Sequence, residues 1–387
     1  MTVEQLYRYR HASAVDGAGV RLATSGGPAE HPYFFDGLIE RPPIVAAGLL
    51  TVARIARTRF YTPPGMAAAI LRAADPLVTS DGTHLRFESL SADCGVYARL
   101  DVLPDGLDRA PRARGTTNVD FNDPMRSALA GLAGPDPMHL AVGDDEVRVR
   151  TLDAEAVERR VPLPERWVRS LAELNPIARA MQPGAVYPAA HLRRLLQTRS
   201  RSTAVLHVTP APGGPRLATR PAAGSVAVAG LDRLRVFEPL LRHATAVHTY
   251  GLNTSSAWLL QMPTARLTVL LSPAVSRGFS GEGGLLDGAD GDTSGYDLAD
   301  GTSFGRVLPL AAALIYADQP RRRDARALVE AGAVEPGPDD TATVRSGGTA
   351  YVVRRTPDGD RCTCTWFATH GLGRGPCKHI LAARSSL

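Results

Sequence analysis

Three of the four cysteines of this 387-residue chain fall in its last tenth, where RCTCTWFATHGLGRGPCKHILAA spaces them as Cys362-x-Cys364-x12-Cys377-x-His379. Thiolate sulfur and imidazole nitrogen are the donors a Zn²⁺ ion prefers. Four of them fill a tetrahedron and leave no position for water, which marks one structural Zn²⁺ and not a catalytic one. Side chains at i and i+2 of a strand share a face, so Cys-x-Cys on a strand aims both sulfurs at one point. Gly375-Pro376 imposes an extended approach, and ILAAR starts a short helix at about His379. Cys377 and His379 then stand at a helix N-terminus, whose positive end favours thiolates. A disulfide is the competing use of these thiols. A Cys362–Cys364 bridge would be strained, and a reducing compartment disfavours it. His370, inside the loop, is the one competing ligand.

These ligands need elements to hold them. ATVRSGGTAYVVRRTPDGDRCTCTW reads as a strand, a turn at Ser346-Gly347-Gly348, a second strand, a turn at Asp358-Gly359 and a last short strand. A module of about 45 residues buries too little apolar surface to fold alone, whereas zinc binding supplies roughly 10–16 kcal/mol in small finger peptides. The hairpin, the four ligand positions, the closing CKHILAA and the apolar positions Tyr351, Val353, Trp366, Ile380 and Leu381 together resemble the SWIM zinc finger over about residues 345–385. The resemblance implies a ββα fold, Cys362, Cys364, Cys377 and His379 as ligands, and a role in DNA binding or protein–protein interaction. The whole chain is also similar to bacterial, actinobacterial-type SWIM proteins through GTTNVDFN, RWV, SRGFSGEG and GYDL. Some of that family accompany MoxR-type ATPases and von Willebrand A proteins, which implies a partner of that kind. Relatives carry a longer segment between SGEG and GYDL, where this chain has about a dozen residues.

Charge narrows the chemistry further. Of 44 basic residues 43 are arginine, and Lys378 is the only lysine. A Walker A loop needs a lysine at the phosphates, so a P-loop ATPase is excluded, and Schiff-base chemistry is disfavoured. The net charge of +5 is modest for this length, but its distribution is uneven. Residues 344–387 hold seven basic side chains against Asp358 and Asp360. Arg354, Arg355, Arg361, Arg374 and Lys378 are therefore the candidate contacts to phosphates or to an acidic partner. No apolar run reaches the 18 residues of a membrane span, and MTVEQLYRYRHASAV lacks the apolar core of a secretory signal. A cytoplasmic setting, with no membrane contact, is the expectation.

The rest of the chain predicts an α+β fold: a large mixed body of antiparallel-type sheets and helices, followed by the small finger. Helices are expected over 42–60, with an apolar stripe of Ala46, Leu49, Leu50, Ala53 and Ala56, and over 65–74, 164–181, 188–198, 231–243 and 319–333. Asp123 is expected to cap a further helix beginning at Pro124. Strands are expected over 83–90, 95–103, 138–142, 145–151 and 156–162, and as a hairpin around Pro263-Thr264. The boundaries fall at 1–160, 161–305, 306–340 and 341–387, with EPGPDD (335–340) as linker and the Gly/Asp-rich 278–305 as a loop.

Several weaker motifs compete. Gly301-Thr302-Ser303-Phe304-Gly305 fits a nucleophile elbow but lacks the preceding buried strand. Asp290-x-Asp292-x-Ser294-Gly295 starts like a calcium loop, yet its twelfth position is Gly301. RGFSGEGG has only the glycine content of a phosphate loop. Asn118, Asp120, Asn122 and Asp123 suit turn and capping duty. Cys94 reads as a small buried residue, and His243 and His248 lack a nucleophile to pair with. The leading reading is a non-enzymatic adaptor whose finger meets DNA or a protein, with no small-molecule substrate. The alternative places unknown chemistry in residues 1–305, around Asp120 or Glu282, and uses the finger for targeting.

Overall fold

The computed structural model describes residues 14–16, 19–21, 33–60, 76–198, 204–279, 294–306 and 319–386. Strands β1 (Ala14–Asp16) and β2 (Gly19–Arg21) form a short hairpin, and β3 (Tyr33–Leu38) leads into helix α1 (Pro42–Arg57). Strands β4 (Leu77–Ser80), β5 (Leu85–Leu90), β6 (Val96–Val102) and β7 (Gly115–Asn118) precede α2 (Asp123–Gly131). Next come β8 (His139–Gly143), β9 (Glu146–Arg150), β10 (Glu155–Arg159), α3 (Glu165–Ala180), β11 (Gln182–Pro188) and α4 (Ala189–Gln197). Then follow β12 (Val205–Thr209), β13 (Arg216–Ala218), β14 (Val226–Ala229), a 3-10 helix (Leu231–Leu240), β15 (Ala246–Leu252), β16 (Ser255–Gln261) and β17 (Ala265–Leu271). A hairpin of β18 (Gly295–Asp297) and β19 (Thr302–Phe304) closes the body.

The fold is α+β, and its strand pairs are antiparallel. The largest sheet runs β11-β15-β16-β17-β6-β5-β4-β7 and so takes strands from both sides of residue 160. A four-stranded sheet, β10-β9-β8-β3, and a three-stranded one, β13-β12-β14, flank it. The expected hairpin at Pro263-Thr264 is β16–β17, with Gln261 opposite Arg266. Among the described residues no helix is long and apolar enough to cross a membrane. The expected helix at 65–74, Asp290, Asp292 and Glu282 lie outside the described residues.

Helix α1 is buried more widely than its predicted stripe. Ile44, Val45, Leu49, Val52 and Ile55 are all covered, while Leu50 is only half-buried. The helix sits between the large sheet and the 3-10 segment, and Arg54 reaches the Val236 carbonyl at 2.8 Å. Gly48 permits this packing: a Cβ there would fall 2.6 Å from Leu100 Cδ1. The segment expected as an α-helix over 231–243 is 3-10 instead, with Pro239 removing an N–H inside it. Asp123 is the first helical residue of α2 and not its cap; Asn122 holds the cap position and sends its side-chain amide to Glu158, 2.9 Å away.

The opposite face of the large sheet is polar and still buried. Along β5 and β6, Arg86, Glu88, Arg99 and Asp101 alternate with apolar residues that face α1. An ion network pairs them. Asp297 of β18 lies 3.2 Å from Arg99 and 3.5 Å from both Arg86 and Arg266. Asp101 lies 2.8 Å from Arg99 and 3.2 Å from Arg86, and Arg306 reaches Glu88 at 2.6 Å. The ring of Phe304 covers Arg86, Arg99 and Arg306 at 4.3–5.0 Å. Residues 294–306, expected to belong to a loop, thus form a strap over charges that would be costly to bury alone. Burial opposes ionisation of Asp297, but Arg99, Arg266 and Arg86 hold its carboxyl below the usual range.

Candidate metal centre

Helix α5 (Pro320–Glu330) is followed by β20 (Val334–Pro336), β21 (Thr341–Ser346), β22 (Thr349–Arg354), β23 (Arg361–Cys362), α6 (Thr365–His370) and α7 (Lys378–Ser386). The expected hairpin is present. Ser346 faces Thr349 across Gly347-Gly348, whose φ values of +58° and +78° are those of a type I′ turn. The segment expected as a linker, 335–340, is partly strand: Val334–Pro336 pairs with Ala342–Val344, and a turn with Asp339 and Asp340 at positive φ reverses the chain. Ala325 of α5 and Ala172 of α3 share one apolar cluster with Ala342, Val344, Ile380 and Ala382. The finger is therefore seated on the body through α3 and α5.

Register assigns each side chain its side. Val353 stands opposite Cys362 and both are buried; Arg354 stands opposite Arg361 and both face solvent. The strand ends at Cys362, so the two cysteines do not share a strand as expected. Cys364 is instead the N-cap of α6, and its sulfur accepts the Phe367 N–H at 3.4 Å. Cys377 lies just before α7, accepting the Leu381 N–H on its carbonyl, and His379 is in the first turn. Arg384 of α7 pairs with Asp360 at 2.6 Å, locking the helix onto the start of β23.

The four ligand atoms of Cys362, Cys364, Cys377 and His379 lie within 4.8 Å of one another, and all four residues are buried. Cys362 Sγ is 3.8 Å from His379 Nδ1. Metal–sulfur bonds of about 2.3 Å at tetrahedral angles put sulfurs about 3.8 Å apart, so the cluster is of a size to hold one ion. The Tyr351 ring stacks on His379 at 4.2 Å and fixes its plane. All the cysteines are free thiols. A hydrogen bond from Cys362, helped by His379 and the Ile380 N–H, lowers the Cys377 thiol to about 4. The same bond pushes Cys362 up, and burial pushes Cys364 up. Packed this closely, the sulfurs cannot all ionise without a cation among them.

The five basic candidates divide into two groups. Arg354, Arg355 and Arg361 are exposed, with Arg354 and Arg361 on the outer face of the finger sheet beside Val352. Arg374 and Lys378 are on the side of α5, where Lys378 is 4.0 Å from Asp324 and Arg374 stacks on Trp366 at 5.0 Å. Sequence reading missed Arg321, which stacks on Trp366 at 4.7 Å and holds the Arg374 and Pro376 carbonyls. Its signal was the PRRRDAR run opening the connector. His370 packs edge-on against Trp366, outside the ligand cluster.

The remaining candidates have structural partners. Asn118 donates to the Val161 carbonyl, Asp120 pairs with Arg57 at 3.0 Å, and Asp123 pairs with Arg126. Ser303 is exposed on β19, away from any strand-to-helix turn. Cys94 is buried at a turn with φ +55°. A body cavity of about 330 Å³ between α2 and the β9–β10 turn is lined by Asp136, Asp153 and Glu155, and Asp120 is not part of it.

No family model and no curated protein matches the chain. Among solved structures, proliferating cellular nuclear antigen from Entamoeba histolytica aligns with 62% of this chain and 98% of its own, at 10% identity and a TM-score of 0.41. The A. fulgidus PCNA bound to the C-terminal region of FEN-1 aligns over the same shares at 12% identity and a TM-score of 0.41. Neither bears on a MoxR-type ATPase or a von Willebrand A protein as partner.

Proposed function

We propose that this chain is a zinc-binding, non-enzymatic adaptor, with residues 334–386 forming a SWIM-type finger that contacts nucleic acid. The observation that carries the metal reading is the closed set of four buried donors within 4.8 Å. Three sulfurs and one imidazole select Zn²⁺ over the harder Mg²⁺ and Ca²⁺. With every corner taken by protein, the ion holds structure together and has no place for substrate.

The contact surface is the outer face of the finger sheet. Arg354 and Arg361 are cross-strand neighbours there, and Arg355 adjoins them. Exposed guanidinium groups this close repel one another unless an anion lies across them, which favours a phosphate backbone. Val352, 43% exposed on the same face, favours a second reading in which a protein docks there. The test is a DNA titration at several salt concentrations with wild type and Arg354→Ala/Arg361→Ala. The nucleic-acid reading expects affinity to fall steeply with salt and the double variant to reduce the log–log slope by about 2. Unchanged binding in that variant refutes it, and salt-tolerant capture of a protein partner establishes the second reading.

A further inference from the structure

Between Glu173 and Glu282 the chain holds twelve arginines against Asp232 and Glu238 alone, an excess of ten, although the whole chain carries only +5. Five of these arginines are held by neighbours in the fold. Arg179 lies over the Tyr296 ring, Arg233 is buried on Ser272, Arg235 pairs with Asp232, Arg242 donates to His243, and Arg266 pairs with Asp297 and Asp300. Arg193 and Arg194 of α4, Arg216 of β13 and Arg220 just beyond it differ. All four are exposed, and no acid among the described residues pairs with them.

The fold draws the four together. Leu192, Leu195 and Leu196 turn one face of α4 into the core, which leaves Arg193 and Arg194 on the other. Val208 stands opposite Leu217 and Thr209 opposite Arg216; the first pair packs into the core, so Arg216 is turned outward. The β12–β13 turn abuts the helix, since a Cβ on Gly214, at φ +109°, would lie 3.1 Å from His191 Nδ1. Arg194 stands one turn beyond His191 and Arg216 two residues beyond Gly214, so the two flank that contact. The helix dipole favours a cation at Arg194, in the last turn of α4, and accounts for none of the other three.

Like charges gathered without counter-charges raise the local potential and draw in a polyanion. The neighbouring surface selects among polyanions. The aromatic residues between positions 182 and 245 are Tyr187 and Phe237, both buried, so no ring is offered to stack an unpaired base. Val186 is the one large apolar side chain exposed in that stretch, too little to enter a bilayer. Guanidinium groups, in contrast, bind phosphate oxygens in pairs. We propose that the face formed by α4 and β13 binds the phosphate backbone of a nucleic-acid duplex without reading its bases. It is made of other residues than the finger sheet and does not rest on the reading given to Arg354 and Arg361.

The experiment follows the fluorescence anisotropy of a labelled DNA duplex with the full chain across a salt series. A second duplex of unrelated sequence, an oligothymidine of equal length, polyglutamate and phosphatidylserine vesicles are the other probes. Arg193→Gln/Arg194→Gln and Arg216→Gln/Arg220→Gln each lower the log–log salt slope by about 2, the counterion release of two phosphates, and weaken both duplexes alike. The oligothymidine binds more weakly than either duplex. Slopes unchanged in both variants overturn the proposal, as does an oligothymidine bound more tightly than duplex. Polyglutamate or vesicles bound as tightly as duplex, with the same dependence on these arginines, overturn it too. A loss in these variants that is absent from Arg354→Ala/Arg361→Ala refutes the finger reading and leaves this one standing; the reverse pattern refutes this one alone.

Discussion

Removing the carboxylate of Asp297 tests the strap that closes the body. The side chain is fully buried and serves Arg99 at 3.2 Å and Arg86 and Arg266 at 3.5 Å, while its other oxygen accepts the Ala299 N–H at 3.0 Å. Asp297→Ala leaves Arg99 with Asp101, Arg86 with Asp101 and Asp81, and Arg266 with the half-exposed Asp300. Breaking a buried ion set by deleting one member costs about 3–5 kcal/mol. Asp297→Asn keeps the volume and the Ala299 acceptor but not the charge, so it loses most of the same amount. Asp300→Ala, which removes a half-exposed partner of Arg266, costs about 0–1 kcal/mol. Urea denaturation supplies the energies, and hydrogen exchange of β18 and β19 shows whether the loss is local. The folded pKa of Asp297 is depressed, so its contribution is present above the unfolded value of about 3.9 and is lost as pH falls through the folded value. An Asp297→Asn variant within about 1 kcal/mol of wild type would refute the claim that this charge holds the strap.

Two other perturbations reach different parts of the account. Metal loading falls as pH drops, because each ligand must shed its proton to bind and acid returns it. Metal analysis after dialysis at stepped pH checks this, and loading that does not fall on acidification contradicts it. Gly48→Ala forces a Cβ to within 2.6 Å of Leu100 and destabilises the body by about 1–3 kcal/mol in urea unfolding, although alanine is the better helix former.

The candidate metal centre was legible because its information is local. Ligand spacing, the Gly347-Gly348 turn and Gly375-Pro376 each fix nearby backbone, and the structure brings the four donors together as that spacing requires. The role of Cys364 was misjudged because two residues after a short strand are compatible equally with continued strand and with a helix cap. In the body, elements with clear periodicity, such as α1 and α3, were readable. The strands β4, β7 and β11 were not: each is short or proline-bearing, and the β4–β7 and β11–β15 pairings span long stretches of chain. The charged face of β5 and β6 misleads for a related reason. Arg86, Glu88, Arg99 and Asp101 alternate as a solvent-facing set would, and only residues some 200 positions later bury them. The connector was readable as a helix, but its packing on α7 depends on tertiary placement.

Elemental analysis of the full chain, purified under reducing conditions and followed through chelation, bears most directly on the central claim. One zinc per chain is expected, with Cys362→Ser, Cys377→Ser and His379→Ala each losing it. Chelation should expose residues 334–386 to protease while the sheets of the body stay protected. A chain that is folded through α7, fully reduced and free of metal would contradict the account.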